Sequence, residues 1–146
     1  MIYLATDHRG FELKEKIKQW LSEWGYEYED MGAFEYNKDD DYPDFIKKAA
    51  QKVSENPEQD KAIILGGSGQ GEAMVVNRHK GVRAAVYYGG PDEIIKMSRE
   101  HNNANVLSLG ASFLNEEAAK NAIKLWLETP FSGEERHIRR INKIEL

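Results

Sequence analysis

The sequence predicts one α/β domain, a parallel sheet of five strands sandwiched between helices. Two observations carry this expectation. Short apolar runs of β type alternate along the chain with segments whose apolar residues recur at helical spacing, a βαβ rhythm. The 146 residues fit a single domain, 1–146, long enough to bury a core and free of internal repeats, linkers or low-complexity stretches.

Each element has its own signal. Ile2 to Thr6 reads as a buried strand that ends at the polar turn Asp7-His8-Arg9-Gly10. Leu13, Ile17, Trp20, Leu21 and Trp24 then mark one face of a helix that stops at Gly25. Tyr26 to Met31 alternates apolar and acidic residues, which suits a strand near the sheet edge. Gly32 opens a loop through Asn37 and the acidic run Asp39-Asp40-Asp41, read as a solvated segment. Pro43 fits the first position of a helix with Phe45, Ile46, Ala49, Ala50 and Val53 inside, and Asn56-Pro57 ends it. Ala62 to Leu65 is the third strand, followed by a glycine turn and a helix to about His79, which Gly81 closes. Val82 to Tyr88 supplies the fourth strand. Gly89-Gly90-Pro91 turns the chain into a helix carrying Ile94, Ile95 and Met97 that ends near His101-Asn102-Asn103. Val106 to Leu109 is the fifth strand, and helices over Glu116 to Glu128 and Glu134 to Ile144 complete the pattern.

Composition narrows the function. A formal charge of −5 argues against a nucleic-acid surface. The absence of cysteine removes disulfides, thiolate zinc sites and any cysteine nucleophile. None of the four histidines is paired with another at i, i+4, so no metal is expected. The first residues are too short and uncharged a run for a secretory signal, and no apolar run approaches the ~20 residues of a membrane span, so a soluble, cytoplasmic protein is expected.

The chemistry should gather around Ile63 to Met74, where an apolar strand stops at four glycines within six positions, Gly66, Gly67, Gly69 and Gly71, and a helix begins near Glu72. Glycines let the backbone approach a ligand and aim several N–H groups at one point, and a helix N-terminus favours negative charge there. No lysine follows Gly71, and the spacing does not complete G-x-G-x-x-G, so neither familiar nucleotide loop is present. In open parallel sheets, ligands bind beyond the carboxyl ends of the strands, and this rule collects Asp7, His8 and Glu72 in one cleft. Each has a plainer use: Asp7 as a helix cap, His8 in a solvated turn, Glu72 as a complement to the helix dipole. Arg136 and Arg140 stand four apart and share a helix face, either as a phosphate clamp or as a solvated basic surface.

Six blocks taken together resemble one known family. Asp7-His8-x-Gly-Phe-x-Leu-Lys, Asp41-Tyr42-Pro43-Asp44-Phe45, Gly67-Ser68-Gly69-x-Gly71, Arg99-Glu100-His101-Asn102-Asn103-Ala104, Leu109-Gly110-Ala111 and Arg136-His137-x-x-Arg140 follow in the order seen in the ribose-5-phosphate isomerase B family. That family also holds galactose-6-phosphate and allose-6-phosphate isomerases. The resemblance implies a Rossmann-like three-layer α/β/α sandwich, no cofactor, and a homodimer or dimer of dimers with active sites at the subunit interface. It further implies aldose–ketose isomerisation of a phosphorylated sugar. On the same grounds His101 opens the furanose ring with help from Asp7, and Asp7, His8 and Tyr42 line the sugar site. Asn102 and the amides around Gly67, Gly69 and Gly71 stabilise an enediolate, while Arg136 and Arg140 grip phosphate.

Two departures from that pattern are informative. Many members carry a catalytic cysteine where this chain has Gly66 and a threonine where it has Ser68, whereas a second branch uses a glutamate at the position matching Glu72. This chain looks like that branch, with Glu72 as base and Ser68 keeping a hydroxyl for proton shuttling between O1 and O2. Burial would raise the Glu72 pKa and the helix N-terminus would lower it, an opposition that composition does not resolve. Where many relatives have a phosphate-supporting arginine this chain has Ser112, and Arg9 stands where alanine is usual, so Arg9 is expected to supply the missing charge. The leading expectation is a ribose 5-phosphate to ribulose 5-phosphate isomerase. Its alternatives are the same chemistry on a six-carbon sugar phosphate and a non-catalytic sugar-phosphate-binding protein.

Overall fold

A computed structural model describes residues 1–145. Five parallel strands, β1 (Ile2–Thr6), β2 (Tyr28–Asp30), β3 (Lys61–Gly66), β4 (Ala84–Tyr87) and β5 (Val106–Gly110), form one sheet in the order β2-β1-β3-β5-β4. Six helices accompany them: α1 (Phe11–Glu23), α2 (Tyr42–Glu55), α3 (Gln70–Val76), α4 (Asp92–Glu100), α5 (Glu116–Glu128) and α6 (Glu135–Asn142). The expected Rossmann-like sandwich is present.

The order of strands dictates which face each helix takes. Right-handed crossovers that run in opposite directions along the sheet put their helices on opposite faces. Accordingly Ile17, Trp20 and Leu21 of α1, Ile95 of α4 and Ile123 and Trp126 of α5 pack on Leu4, Leu65, Leu107 and Leu109. Ile46, Ala50 and Val53 of α2 and Val76 of α3 pack on Ala5, Ile64 and Val106. The central strands β1, β3 and β5 are buried on both sides and read as continuous apolar runs, as parallel strands should.

Several boundaries differ from expectation. β2 keeps only Tyr28–Asp30 of the anticipated Tyr26 to Met31, because it is an edge strand bonded to β1 alone. The helix after β3 ends at Val76 instead of about His79, where Asn77 turns its side chain back to accept the Ala84 N–H at 2.8 Å. One-turn 3-10 helices fill His8–Gly10 and Ala111–Phe113.

The loop after β2 is anchored at its root by a buried lysine. Lys14, fully buried in α1, donates from Nζ to Asp30 Oδ1 at 2.5 Å and to the Ala33 carbonyl at 2.6 Å. Burial pushes its pKa down, and the Asp30 carboxylate opposes that shift. A buried ammonium persists only when paired and hydrogen-bonded, and Lys14 is both.

Candidate active site

A crevice opens where the sheet changes direction. The chain leaves β1 toward β2 and leaves β3 toward the opposite edge, so the turns after these neighbouring strands splay apart at the switch point. The cleft there encloses about 910 Å³ and is lined by Asp7, His8, Arg9, Tyr42, Gly67, Ser68, Gly71 and Glu72. Nine of the residues anticipated for the site therefore meet, if Gly69 at the turn between Ser68 and α3 is counted with them.

The glycine turn is shaped by close approach. Gly69 caps α3 with φ of +78°, and its carbonyl accepts the buried Ser108 hydroxyl at 2.6 Å, which pins the turn to β5. A Cβ built on Gly66 would fall on the carboxylate of Glu72, so the missing side chain at the end of β3 is the space that carboxylate fills. Glu72 is only 5% exposed and lies in the first turn of α3. Its pKa is raised: burial dominates, the hydrogen bond from its own backbone N–H opposes, and the nearby Asp7 charge adds to the rise. The opposition left open by the sequence is decided in favour of burial.

Asp7, 6% exposed, ends β1 and accepts the Arg9 backbone N–H at 2.9 Å, so it caps the turn and faces the cleft at once. Its pKa is raised as well, chiefly by burial and against the pull of that hydrogen bond. Arg9 reaches across the opening and donates from Nη2 to the Ser112 hydroxyl at 3.0 Å. Its guanidinium also lies against Gly67. Tyr42, at the start of α2, stands over Gly71.

One part of the acidic run departs from the solvated loop expected of it. Asp39 and Asp41 are exposed, but the Asp40 side chain is only 7% exposed. Its Oδ1 accepts the His8 backbone N–H at 3.0 Å and faces His8 Nδ1 at 2.7 Å. Among the described residues Asp7, His8 and Asp40 offer ligand atoms within 4.8 Å of one another, and His8 and Asp40 are joined by that hydrogen bond. Nothing local distinguishes Asp40 from its two neighbours, so only the folding back of the loop reveals it.

His101, Asn102, Arg136 and Arg140 lie elsewhere. His101 ends α4, which returns antiparallel to the strands, and Arg83, just before β4, donates from Nε to the Asn102 and Asn103 carbonyls at 3.1 and 3.2 Å. These residues therefore sit at the amino ends of the strands, a strand length of roughly 17 Å from the level of Glu72. There His101 stacks on His137 of α6, ring centroids 4.4 Å apart and 18° from parallel. Arg136 and Arg140 are exposed on the same helix, with Arg136 near Glu134 at 3.5 Å. Burial and the charges of His101, Arg136 and Arg140 hold the His137 pKa down, against Glu134. One chain thus carries two groups of candidate residues at opposite ends of its sheet.

A doubly wound sheet whose switch-point cleft presents buried carboxylates, a hydroxyl and a glycine turn defines an enzyme suited to proton transfer on a small polar substrate. Comparison with known proteins agrees. The Ribose/Galactose Isomerase family model matches residues 2–144. Ribose-5-phosphate isomerase B of Mycolicibacterium paratuberculosis is 39% identical over 97% of this chain and 87% of its own length. The structure of ribose-5-phosphate isomerase B from Mycoplasma genitalium with bound ribulose-5-phosphate superposes with a TM-score of 0.93 at 36% identity, covering 98% of this chain and 92% of the other. That of Thermotoga maritima gives 0.89 at 42% identity over 99% and 96%. The chain belongs to the ribose/galactose isomerase family and is an isomerase.

Proposed function

We propose that the protein interconverts ribose 5-phosphate and ribulose 5-phosphate through an enediolate, with Glu72 as the base. The observation that carries this reading is the buried Glu72 carboxylate, lodged beside the glycine turn in the space that a side chain at residue 66 would take. A base for this step takes the proton from C2 and returns it to C1 on one face, and works best with a pKa raised toward the working pH. Burial gives Glu72 that shift. Gly67 and Gly71 line the same cleft, where backbone amides would suit the developing charge on the enediolate oxygen. Ser68 lines the cleft beside them and offers a hydroxyl to move a proton between O1 and O2.

The remaining roles follow from where charge lies. Arg9, seated against Ser112, puts a cation at the mouth of the cleft where an anionic group would enter. His101 as ring-opening acid, Asn102, and Arg136 with Arg140 as a phosphate clamp cannot serve this cleft from the same chain. They can serve the cleft of a second copy, so the reading includes a homodimer, or a dimer of dimers, with sites shared between subunits. The Mycoplasma genitalium relative, described with ribulose-5-phosphate bound, supports the choice of a five-carbon substrate.

The test is the Glu72→Gln variant. Turnover of ribose 5-phosphate should fall by about a thousandfold or more, with loss of C2 proton exchange into deuterated solvent, while binding of a phosphorylated sugar acid is retained. Full activity in that variant would sink the assignment of the base. Higher activity on allose or galactose 6-phosphate than on ribose 5-phosphate would move the substrate to six carbons.

A further inference from the structure

Asp40 is a buried charge that the proposed steps leave unused. It comes from the loop between β2 and α2, yet it grips His8 twice, through the backbone N–H at 3.0 Å and the ring Nδ1 at 2.7 Å. Among the described residues its second oxygen, Oδ2, is buried without a hydrogen-bond partner. A loop aspartate gains nothing by giving up water for such a position, since an unsatisfied buried oxygen costs free energy. What the burial achieves is control of the imidazole. A carboxylate can only accept, so Nδ1 carries the ring proton and Nε2 is left as an acceptor on a residue that lines the cleft. The Tyr36 ring, perpendicular and 6.2 Å away between centroids, flanks the same imidazole.

We infer that Asp40 is a positioning residue for His8: it fixes the imidazole in the Nδ1–H tautomer and aims Nε2, as an acceptor, at a hydroxyl of the bound sugar phosphate. The nature of the ligand rests on the isomerase reading, whereas the tautomer does not. Two anchors then frame the loop, Lys14 at its root and Asp40 at its far end, so the loop that closes one side of the cleft is tied to the residue it helps orient.

The experiment pairs nitrogen-15 NMR of histidine-labelled protein with steady-state kinetics on ribose 5-phosphate, for the wild type and for Asp40→Ala, Asp40→Asn and Asp39→Asn. His8→Gln assigns the His8 signals. The wild type should show His8 protonated at Nδ1, and Asp40→Ala should shift the proton to Nε2. In Asp40→Ala, kcat/KM should fall about tenfold or more, mostly through KM, because a binding contact is misaimed while the base is untouched. Asp40→Asn keeps an acceptor oxygen and should fall between the two. Asp39→Asn removes the same charge from the exposed neighbour and should behave as wild type. An unchanged His8 tautomer in Asp40→Ala, or equal kinetics for the Asp40 and Asp39 variants, would overturn the inference. A wild type inactive on every sugar phosphate but with an Asp40-dependent tautomer would overturn the isomerase reading and uphold the positioning role.

Discussion

A methyl group at residue 66 would displace the carboxylate of Glu72, so these two positions compete for one space. Gly66→Ala should therefore cut kcat at least a hundredfold by pushing the proposed base out of line, with a smaller change in KM, as steady-state kinetics would record. The raised Glu72 pKa has consequences for stability as well. A carboxyl whose pKa is raised on folding stabilises the fold below its unfolded pKa and loses that contribution as pH rises through the folded value. At neutral pH the raised pKa of buried Glu72 is thus a net cost, and Glu72→Gln should raise Tm at pH 7 but not near pH 3, as calorimetry would show. The acid limb of kcat/KM should fall above the ordinary carboxylate range for the same reason. Glu72 was legible in the sequence because it stands in the first turn after an unmistakable glycine turn. Asp40 was not, because its burial depends on a loop folding back over the first turn, and a run of three aspartates carries no signal for which of them turns inward.

Elements were legible where their burial is uniform and less so at the margins. The double-sided apolar runs of β1, β3 and β5 and the spaced apolar faces of α1, α2 and α5 marked themselves. Strand order did not, since periodicity says nothing about which neighbour a strand takes. β2 was overextended because its alternation continues past the three residues that have a partner strand to bond. The link between α1 and the loop after β2 depends on Lys14, which is enclosed with Asp30 and the Ala33 carbonyl. Lys14→Ala should lower unfolding free energy in urea by about 3 kcal/mol, since breaking a buried pair leaves its partner poorly compensated. Lys18, 3.1 Å from Asp30 Oδ2, would offset part of the loss. Arg9→Ala should raise KM for the phosphorylated substrate several-fold with little change in stability, because among the described residues the Arg9 side chain hydrogen-bonds the Ser112 hydroxyl alone.

At the scale of the whole molecule, Glu72 and His101, the proposed base and ring-opening acid, stand at opposite ends of the sheet. If sites are shared between copies, Glu72→Gln and His101→Gln, each inactive alone, should complement when their chains are mixed and reassembled. Every mixed dimer would hold one intact site, giving about a quarter of wild-type activity from random pairing. Sites complete within one chain would give no recovery. With sites shared in this way, the same separation would make catalysis sensitive to concentration. A chain that, on this proposal, carries half of two sites and the whole of none would be an enzyme only while it has company. Specific activity should accordingly fall on dilution along the curve of subunit dissociation, and ligand that bridges two chains should hold them together.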